Sequence, residues 1–287
     1  MKKTVNQSSS NPLTVAAVQL QPGESIQHNL NNASAMIQRA VDQGAMLVVL
    51  PENFAHLGRD DFSAIGRAES SPQGEVRQFL SSQARQQGIW LVGGTVPVSD
   101  PAQPDKPFAR SLLFNPHGEQ CSYYDKIHLF DIQLDRTALD DGQQSSYCES
   151  DNFSAGSTVV VAETDLCCLG MSVCYDLRFA ELYRQLGDRG AQLVTVPAAF
   201  TAATGRDHWL LLLRARAVEN QLFVIGANMV DRDHPRRALW GGSAIIDPWG
   251  NVLASLDDKP GVAVAEIDLQ RIDEIRLRMP VAGHRKL

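Results

Sequence analysis

Met171-Ser172-Val173-Cys174-Tyr175-Asp176-Leu177-Arg178-Phe179 ends an apolar run on a cysteine and passes at once into a helix-like pattern. A strand fixes the backbone behind that thiol. The first N–H groups of the segment that follows have no partner within their own helix and point toward incoming negative charge. The geometry suits a nucleophile, yet free cysteine is also among the residues most often simply buried. The rest of the chain has to separate the two roles.

Around this stretch the pattern is a regular alternation. Residues 158–162 and 167–174 read as strands, 177–188 as a helix and 193–197 as a strand. A helix over 210–221 and a strand over 222–229 follow, then a hairpin of 243–247 with 252–255 across Pro248-Trp249-Gly250. A strand over 262–267 and a polar helix over 269–279 end the chain. The same alternation runs through the first half. LTVAAVQL, 13–20, is an apolar, β-branched strand closed by Gln21-Pro22-Gly23. Ile26, Leu30, Ala33, Ile37, Ala40 and Val41 recur at three- and four-residue steps until Gly44, which is an amphipathic helix. Met46-Leu47-Val48-Val49-Leu50 is apolar on both faces and halts at Pro51, as a strand buried on both sides does. Val76, Phe79, Leu80 and Ala84 mark a helix ended by Gly88, and 89–96 returns as a strand. Prolines at 97, 101, 104 and 107 predict a loop, and 109–115 with 120–124 a hairpin around Pro116-His117-Gly118. Residues 131–157 are acidic and polar with little periodicity, which predicts a long surface loop able to serve as a lid. Two similar halves of alternating strands and helices predict an α/β fold in which two sheets pack between helices.

Composition narrows the function. The chain has 287 residues, of which 44% are hydrophobic and 21% charged, and no apolar run approaches the ~20 residues of a membrane helix. A net charge of −7, with no basic grouping longer than Arg236-Arg237 after His234, argues against nucleic-acid binding. Five cysteines, at 121, 148, 167, 168 and 174, form no CxxC pair and no His/Cys ligand spacing. That pattern predicts neither a disulfide framework nor a metal site, and points to a reducing, cytoplasmic setting. Residues 1–12 lack an apolar core and read as a disordered tail ahead of one domain over 13–287.

Three reactive side chains leave apolar strands: Glu52 after LVVLP, Lys126 after SYYD and Cys174 after GMSV. A buried glutamate is expected to have a raised pKa suited to general acid and base work, and a nearby ammonium to favour the thiolate. Together they form a consistent set for acyl transfer. The bland reading makes Glu52 a helix-start carboxylate, Lys126 a surface charge and Cys174 core filler. His128, two residues past Lys126, is read as facing away from the reactive set, and His208 beside Trp209 as structural. Cys167 and Cys168 are read as core filler, Leu210 to Leu213 as helix core, and Arg214 and Arg216 as candidates for a subunit contact.

Pro51-Glu52-Asn53-Phe54, Tyr124-Asp125-Lys126-Ile127-His128-Leu129-Phe130 and Val173-Cys174-Tyr175-Asp176-Leu177-Arg178-Phe179 resemble, in order, the three motif blocks of the nitrilase superfamily of carbon-nitrogen hydrolases. Cys148-Glu149-Ser150, Pro197-Ala198-Ala199-Phe200 with Thr204-Gly205 and His208-Trp209, and Asp247-Pro248-Trp249-Gly250 extend the resemblance over roughly 13 to 285. The resemblance implies a four-layer αββα sandwich, a homodimer or higher homo-oligomer, and no metal or organic cofactor. It implies Cys174 as nucleophile, Glu52 as general base, Lys126 and the Tyr175 backbone N–H as oxyanion partners, and Glu149 as a second glutamate. The implied substrate is a small-molecule amide bearing a carboxylate, with Arg178, Phe200, Thr201 and Thr204 as substrate-binding candidates.

Cys-Tyr-Asp-Leu-Arg-Phe is similar to the branch that hydrolyses deaminated glutathione or the ω-amides of keto acids, with deaminated glutathione favoured. N-carbamoyl amino acid hydrolysis and a non-catalytic binding protein are the alternatives. Gly242 stands where both amidase groups typically carry histidine, and Asn228-Met229 also departs from the usual pair. These positions bear on the substrate rather than on the reaction.

Overall fold

A computed structural model describes residues 12–59, 61–134, 145–233 and 238–286. The expected disordered tail, except its last residue, lies outside the described residues. So do the middle of the expected lid, 135–144, and the Arg236-Arg237 pair.

β1 (Leu13–Gln19) shows how alternation builds the layers. Val15 and Ala17 enter a core shared with the second sheet, while Ala16 and Val18 enter a separate core beneath the flanking helices. β2 (Leu47–Val49) divides its side chains in the same way, with Leu47 and Val49 on one face and Val48 on the other. Between them α1 (Ile26–Val41), capped by the Ser25 hydroxyl accepting from His28 N, buries Leu30, Ala33, Ile37 and Ala40. α2 (Phe62–Glu69) and α3 (Glu75–Gln87) precede β3 (Trp90–Val92), β4 (Val96–Asp100), β5 (Gln103–Phe114) and β6 (Gln120–Asp125). β7 (Asp131–Leu134) and β8 (Ser145–Cys148) form a small hairpin of their own.

The second half contains β9 (Val161–Glu163), β10 (Cys168–Met171), α4 (Ala180–Asp188), β11 (Leu193–Ala198), α5 (Ala202–Asn220) and β12 (Phe223–Asn228). β13 (Val230–Asp231) pairs with β14 (Leu239–Trp240), followed by β15 (Ala244–Ile246), β16 (Val252–Ser255), β17 (Gly261–Ile267) and α6 (Gln270–Arg278). One sheet has the order β17-β1-β2-β3-β5-β4 with β6 on β5, and the other β16-β15-β12-β11-β10-β9. β1 and β2 pack on β12 across the middle, α1 and α3 cover the first sheet, and α4 and α5 the second. This is the αββα sandwich expected from the sequence.

Four expectations change. The proline-rich stretch is a hairpin, because Pro97 lies on edge strand β4 and the register shifts between Val98 and Asp100, next to Pro104. The single strand expected over 89–96 breaks at Gly94, whose φ is +58 and whose Cβ position would lie 2.0 Å from Pro51 O. The strand expected to reach Cys174 stops at Met171, and Cys174 begins a short 3-10 turn, Cys174–Arg178. The surface-loop reading of 131–157 is corrected by β7, β8 and a 3-10 turn, Glu149–Asp151, which the strongly polar composition concealed.

Candidate active site

The parallel strands β2, β10 and β11 end on one side of the sandwich. At that edge α/β folds place their reactive groups, because the chain leaves the sheet there with its backbone still held. Glu52 follows β2, Cys174 follows β10, and Ala199 to Thr201 follow β11. Lys126 comes from the end of β6, and Glu149 from the turn after β8. All four predicted reactive side chains line one cavity of about 310 Å³.

Lys126 Nζ donates to Glu52 Oε1 at 2.7 Å and to the two Glu149 oxygens at 2.9 and 2.8 Å. The other Glu52 oxygen accepts Ala199 N–H at 2.9 Å and Glu149 accepts Phe130 N–H at 2.7 Å, so neither carboxylate depends on Lys126 alone. Cys174 lines the same cavity, close enough to Glu52 for each side chain to shift the other's titration. The Lys126 and Glu52 side chains are only 2% and 3% exposed. Such a pair persists because hydrogen bonds satisfy each charge; removal of either partner would strand the other.

Two electrostatic expectations are corrected. Burial pushes the Glu52 carboxyl up, but the Lys126 charge and hydrogen bond, with those from Cys174 and Ala199, hold it below its usual value. Burial and the Glu52 charge push the Cys174 thiol well above its usual value, against the pull of Lys126. Lys126 itself is held protonated, since Glu149 and Glu52 outweigh the effect of burial. The thiol is thus biased toward its neutral form and the carboxyl toward its ionised form, the pattern in which a sulfur nucleophile would need a base.

Cys174 has a left-handed backbone, φ +44, a conformation that costs a non-glycine residue about 1–2 kcal/mol. Asp176 holds this turn. Its buried carboxylate accepts Val173 N–H at 2.9 Å and Tyr124 OH at 2.8 Å on one oxygen. The other oxygen accepts His128 N–H at 3.1 Å and lies 2.7 Å from His128 Nδ1. One side chain therefore ties the cysteine turn to the segment bearing Lys126. Sequence reasoning passed over Asp176; its spacing of three residues from the strand exit at Val173 was the available signal, since a carboxylate there reaches back to the first N–H of a turn. His128 stacks on Phe179 at 3.7 Å and His208 Nδ1 lies 3.2 Å from Arg178 Nη1; neither ring lines the cavity.

Phe200, Thr201 and Thr204 form one cavity wall, and Tyr175 enters it beside Cys174. Arg178 does not line the cavity. Its guanidinium lies 5.2 Å from the Phe200 ring centre and 5.8 Å from that of Tyr175, behind the wall. Sequence reasoning also missed Asn53, Arg59 and Asn152, which line the cavity from irregular segments, and Phe62, which lines it from the first residue of α2. Asn228 proves to be a brace: it accepts Phe200 N–H at 2.9 Å and donates to Gly241 O. Gly242, with φ +68, occupies a conformation that disfavours any side chain, and its carbonyl accepts Trp209 Nε1 at 2.7 Å. Cys167 is buried with its thiol pushed up to about 12, as core filler should be, whereas Cys168 is half-buried. Among the described residues no group of three or more His, Cys, Asp and Glu side chains is arranged to hold a metal ion.

A thiol, a carboxylate and an ammonium converge at the strand ends of the αββα sandwich, the kinds of group a cysteine-dependent hydrolase requires. Residues 14–277 match the family described as carbon-nitrogen hydrolase, and the chain belongs to that family, a branch of the nitrilase superfamily. It is accordingly a hydrolase of carbon–nitrogen bonds. The chain is 39% identical over 281 residues to deaminated glutathione amidase of Synechocystis, covering 96% of this chain and 98% of that protein. It is 37% identical over 273 residues to omega-amidase NIT2 of Danio rerio, covering 95% and 94%. The structure resembles Nit3 of Saccharomyces cerevisiae with a TM-score of 0.84 and 32% identity, covering 97% of this chain and 98% of that one. It also resembles the NitFhit protein of C. elegans, with a TM-score of 0.86 and 34% identity, covering 96% of this chain and 66% of that longer one.

Proposed function

We propose that the protein is a thiol amidohydrolase acting on a small amide that bears a carboxylate, with deaminated glutathione as its preferred substrate. The convergence of Cys174, Glu52, Lys126 and Glu149 in one cavity carries this reading. Cys174 transfers its proton to Glu52 as sulfur attacks the amide carbonyl. The oxyanion is met by the Lys126 ammonium and the Tyr175 N–H, the kind of donor whose loss costs ~3–4 kcal/mol in other enzymes. The tetrahedral adduct collapses with cleavage of the C–N bond, and Glu52 returns its proton to the departing amine or ammonia. Water then enters, gives a proton to Glu52 and attacks the thioester; the acid leaves and the thiol recovers its proton. Glu149 acts through Lys126, whose ammonium it fixes from the side opposite Glu52. Phe200, Thr201 and Thr204 shape the acyl wall, and Arg178 supports that wall from behind.

Similarity to deaminated glutathione amidase favours the preferred substrate, and similarity to omega-amidase NIT2 supports keto-acid ω-amides as a second one. Among the described residues no helix is long and apolar enough to cross a membrane. All five cysteines are free, as thiols of a protein working in the reducing cytoplasm would be. A homodimer through the outer face of α5 fits the exposed Leu211 and Val218 there, near exposed Trp249 and joined to its turn by Arg214 Nε donating to Gly250 O. Arg216 is excluded from that contact: it is buried and donates to Leu177 O at 3.0 Å. Incubation with deaminated glutathione, an ω-amide of a keto acid, an N-carbamoyl amino acid and a simple nitrile, with mass spectrometry of the products, tests the reading. Release of cysteinylglycine from the first supports it; inertness toward both amides overturns it.

A further inference from the structure

The cavity contains two cations in different situations. Lys126 lies at its floor, 2% exposed and held by two carboxylates within 2.9 Å. Its charge is committed to the reacting atoms. Arg59 lines the same cavity, but its side chain is 45% exposed, which places it at the mouth. It pairs with Asp61 at 3.2 Å through Nε and Nη2, and Asp61 is itself 48% exposed and outside the cavity lining. An ion pair between two such solvated groups contributes little, so Asp61 is a weak competitor for a substrate carboxylate at the guanidinium. Arginine suits that purpose because its planar fork matches a carboxylate in two parallel hydrogen bonds.

We propose that Arg59 is a specificity-determining residue that recognises a carboxylate on the departing amine of the substrate. The inference rests on the amidohydrolase reading above and refines its substrate class to amides whose leaving group carries a negative charge. A charged group bound at the floor would contend with Glu52 and Glu149. The acyl carbon must lie against Cys174 at that floor, so an extended leaving arm runs toward the mouth and Arg59. Deaminated glutathione has this form: the nitrogen of its scissile amide belongs to cysteinylglycine, which ends in a carboxylate. The ω-amide of a keto acid releases ammonia, so its leaving group brings no carboxylate to Arg59. A cavity of about 310 Å³ is also at the lower end of the ~300–1,000 Å³ of sites that hold drug-sized ligands, room for such an arm.

The test uses two substrates that differ only in this charge: deaminated glutathione and the same compound with its terminal glycine carboxyl converted to carboxamide. The ratio of their kcat/KM values is measured for the wild-type chain, Arg59→Gln and Arg59→Lys, with thermal melts to confirm folding. The wild type is expected to favour the carboxylate at least tenfold, a preference that shrinks with added salt. Arg59→Gln brings the ratio toward one through KM, and Arg59→Lys recovers part of it. An equal ratio in wild type and Arg59→Gln overturns the proposal while leaving the amidohydrolase reading intact. So does a wild type that turns over a keto-acid ω-amide but neither of these substrates. A wild type inert toward all three amides overturns the underlying reading, and the proposal with it.

Discussion

Tyr124 and Asp176 meet in a 2.8 Å hydrogen bond that joins the strand leading to Lys126 to the turn carrying Cys174. The segments that carry the thiol and the ammonium are thus tied together by two other residues. Asp176→Asn replaces an acceptor oxygen with a donor facing Tyr124 or His128, and the left-handed turn at Cys174 loses its brace. We expect kcat to fall about 100-fold with KM little changed, the scale on which a misplacement of about 1 Å acts. Tyr124→Phe deletes one bond of the four and should fall between this variant and wild type. Steady-state kinetics on the two variants checks this; equal kcat in all three forms would show that the clamp has no bearing on turnover.

The proposed base role of Glu52 rests on a carboxyl held below its usual pKa beside a thiol pushed above its own. Glu52→Gln keeps the shape but removes the proton acceptor, and turnover should drop by about 10²–10⁴. In the wild type the base is active above its own pKa, which lies below the ordinary 4.5, and the thiol pKa lies above the ordinary 9.0. The free-enzyme profile of kcat/KM should therefore be flat from about pH 5 to 9. A limb near pH 6 to 7 that Glu52→Gln abolishes would contradict this electrostatic picture.

His56 offers a separate test of stability. It is 2% exposed, and neither ring nitrogen has a hydrogen-bond partner among the described residues. Burial, with the Arg59 charge, lowers its pKa from 6.5 to about 4. The folded state thus refuses a proton that the unfolded chain accepts below pH 6.5. The stability held above pH 6.5 is lost progressively as pH falls toward 4, on the order of 3 kcal/mol in all. His56→Leu should raise the melting temperature at pH 5 and flatten its pH dependence over this window. Melts of both proteins between pH 4 and 7.5 decide it.

Leu211 is 65% exposed and Trp249 55%, large apolar areas for a surface held in water. If α5 and the turn at Trp249 meet a second copy, Leu211→Glu should convert a dimer to a monomer in sedimentation velocity. Identical sedimentation of both proteins would remove this face from the assembly.

The layered fold was legible because apolar runs such as 46–50 are long enough to be buried on both faces. Glu52 and Cys174 were legible as candidates because each follows such a run, whereas Lys126 follows the largely exposed β6 and stood out through the motif around it. What escaped notice depends on contacts between distant segments. The carboxyl of Glu52 lies low because Lys126, 74 residues away, outweighs its burial. Asp176 matters through Tyr124 and His128, and Arg59 through a cavity whose other walls come from four separate segments. Leu210 and Leu211 read as helix core by composition, yet they are 40% and 65% exposed. Helical periodicity identifies an apolar face but not which molecule covers it.

In the proposed reaction Cys174 carries the acyl group between two half-reactions. The most direct measurement mixes the protein with deaminated glutathione, quenches in acid within a turnover, and determines the mass of the peptide containing Cys174. A 2-oxoglutaryl thioester on Cys174, absent in Cys174→Ala together with release of cysteinylglycine, is the predicted result. Full turnover by Cys174→Ala, or wild-type turnover with no acyl group ever found on that peptide under the same quench, would contradict it.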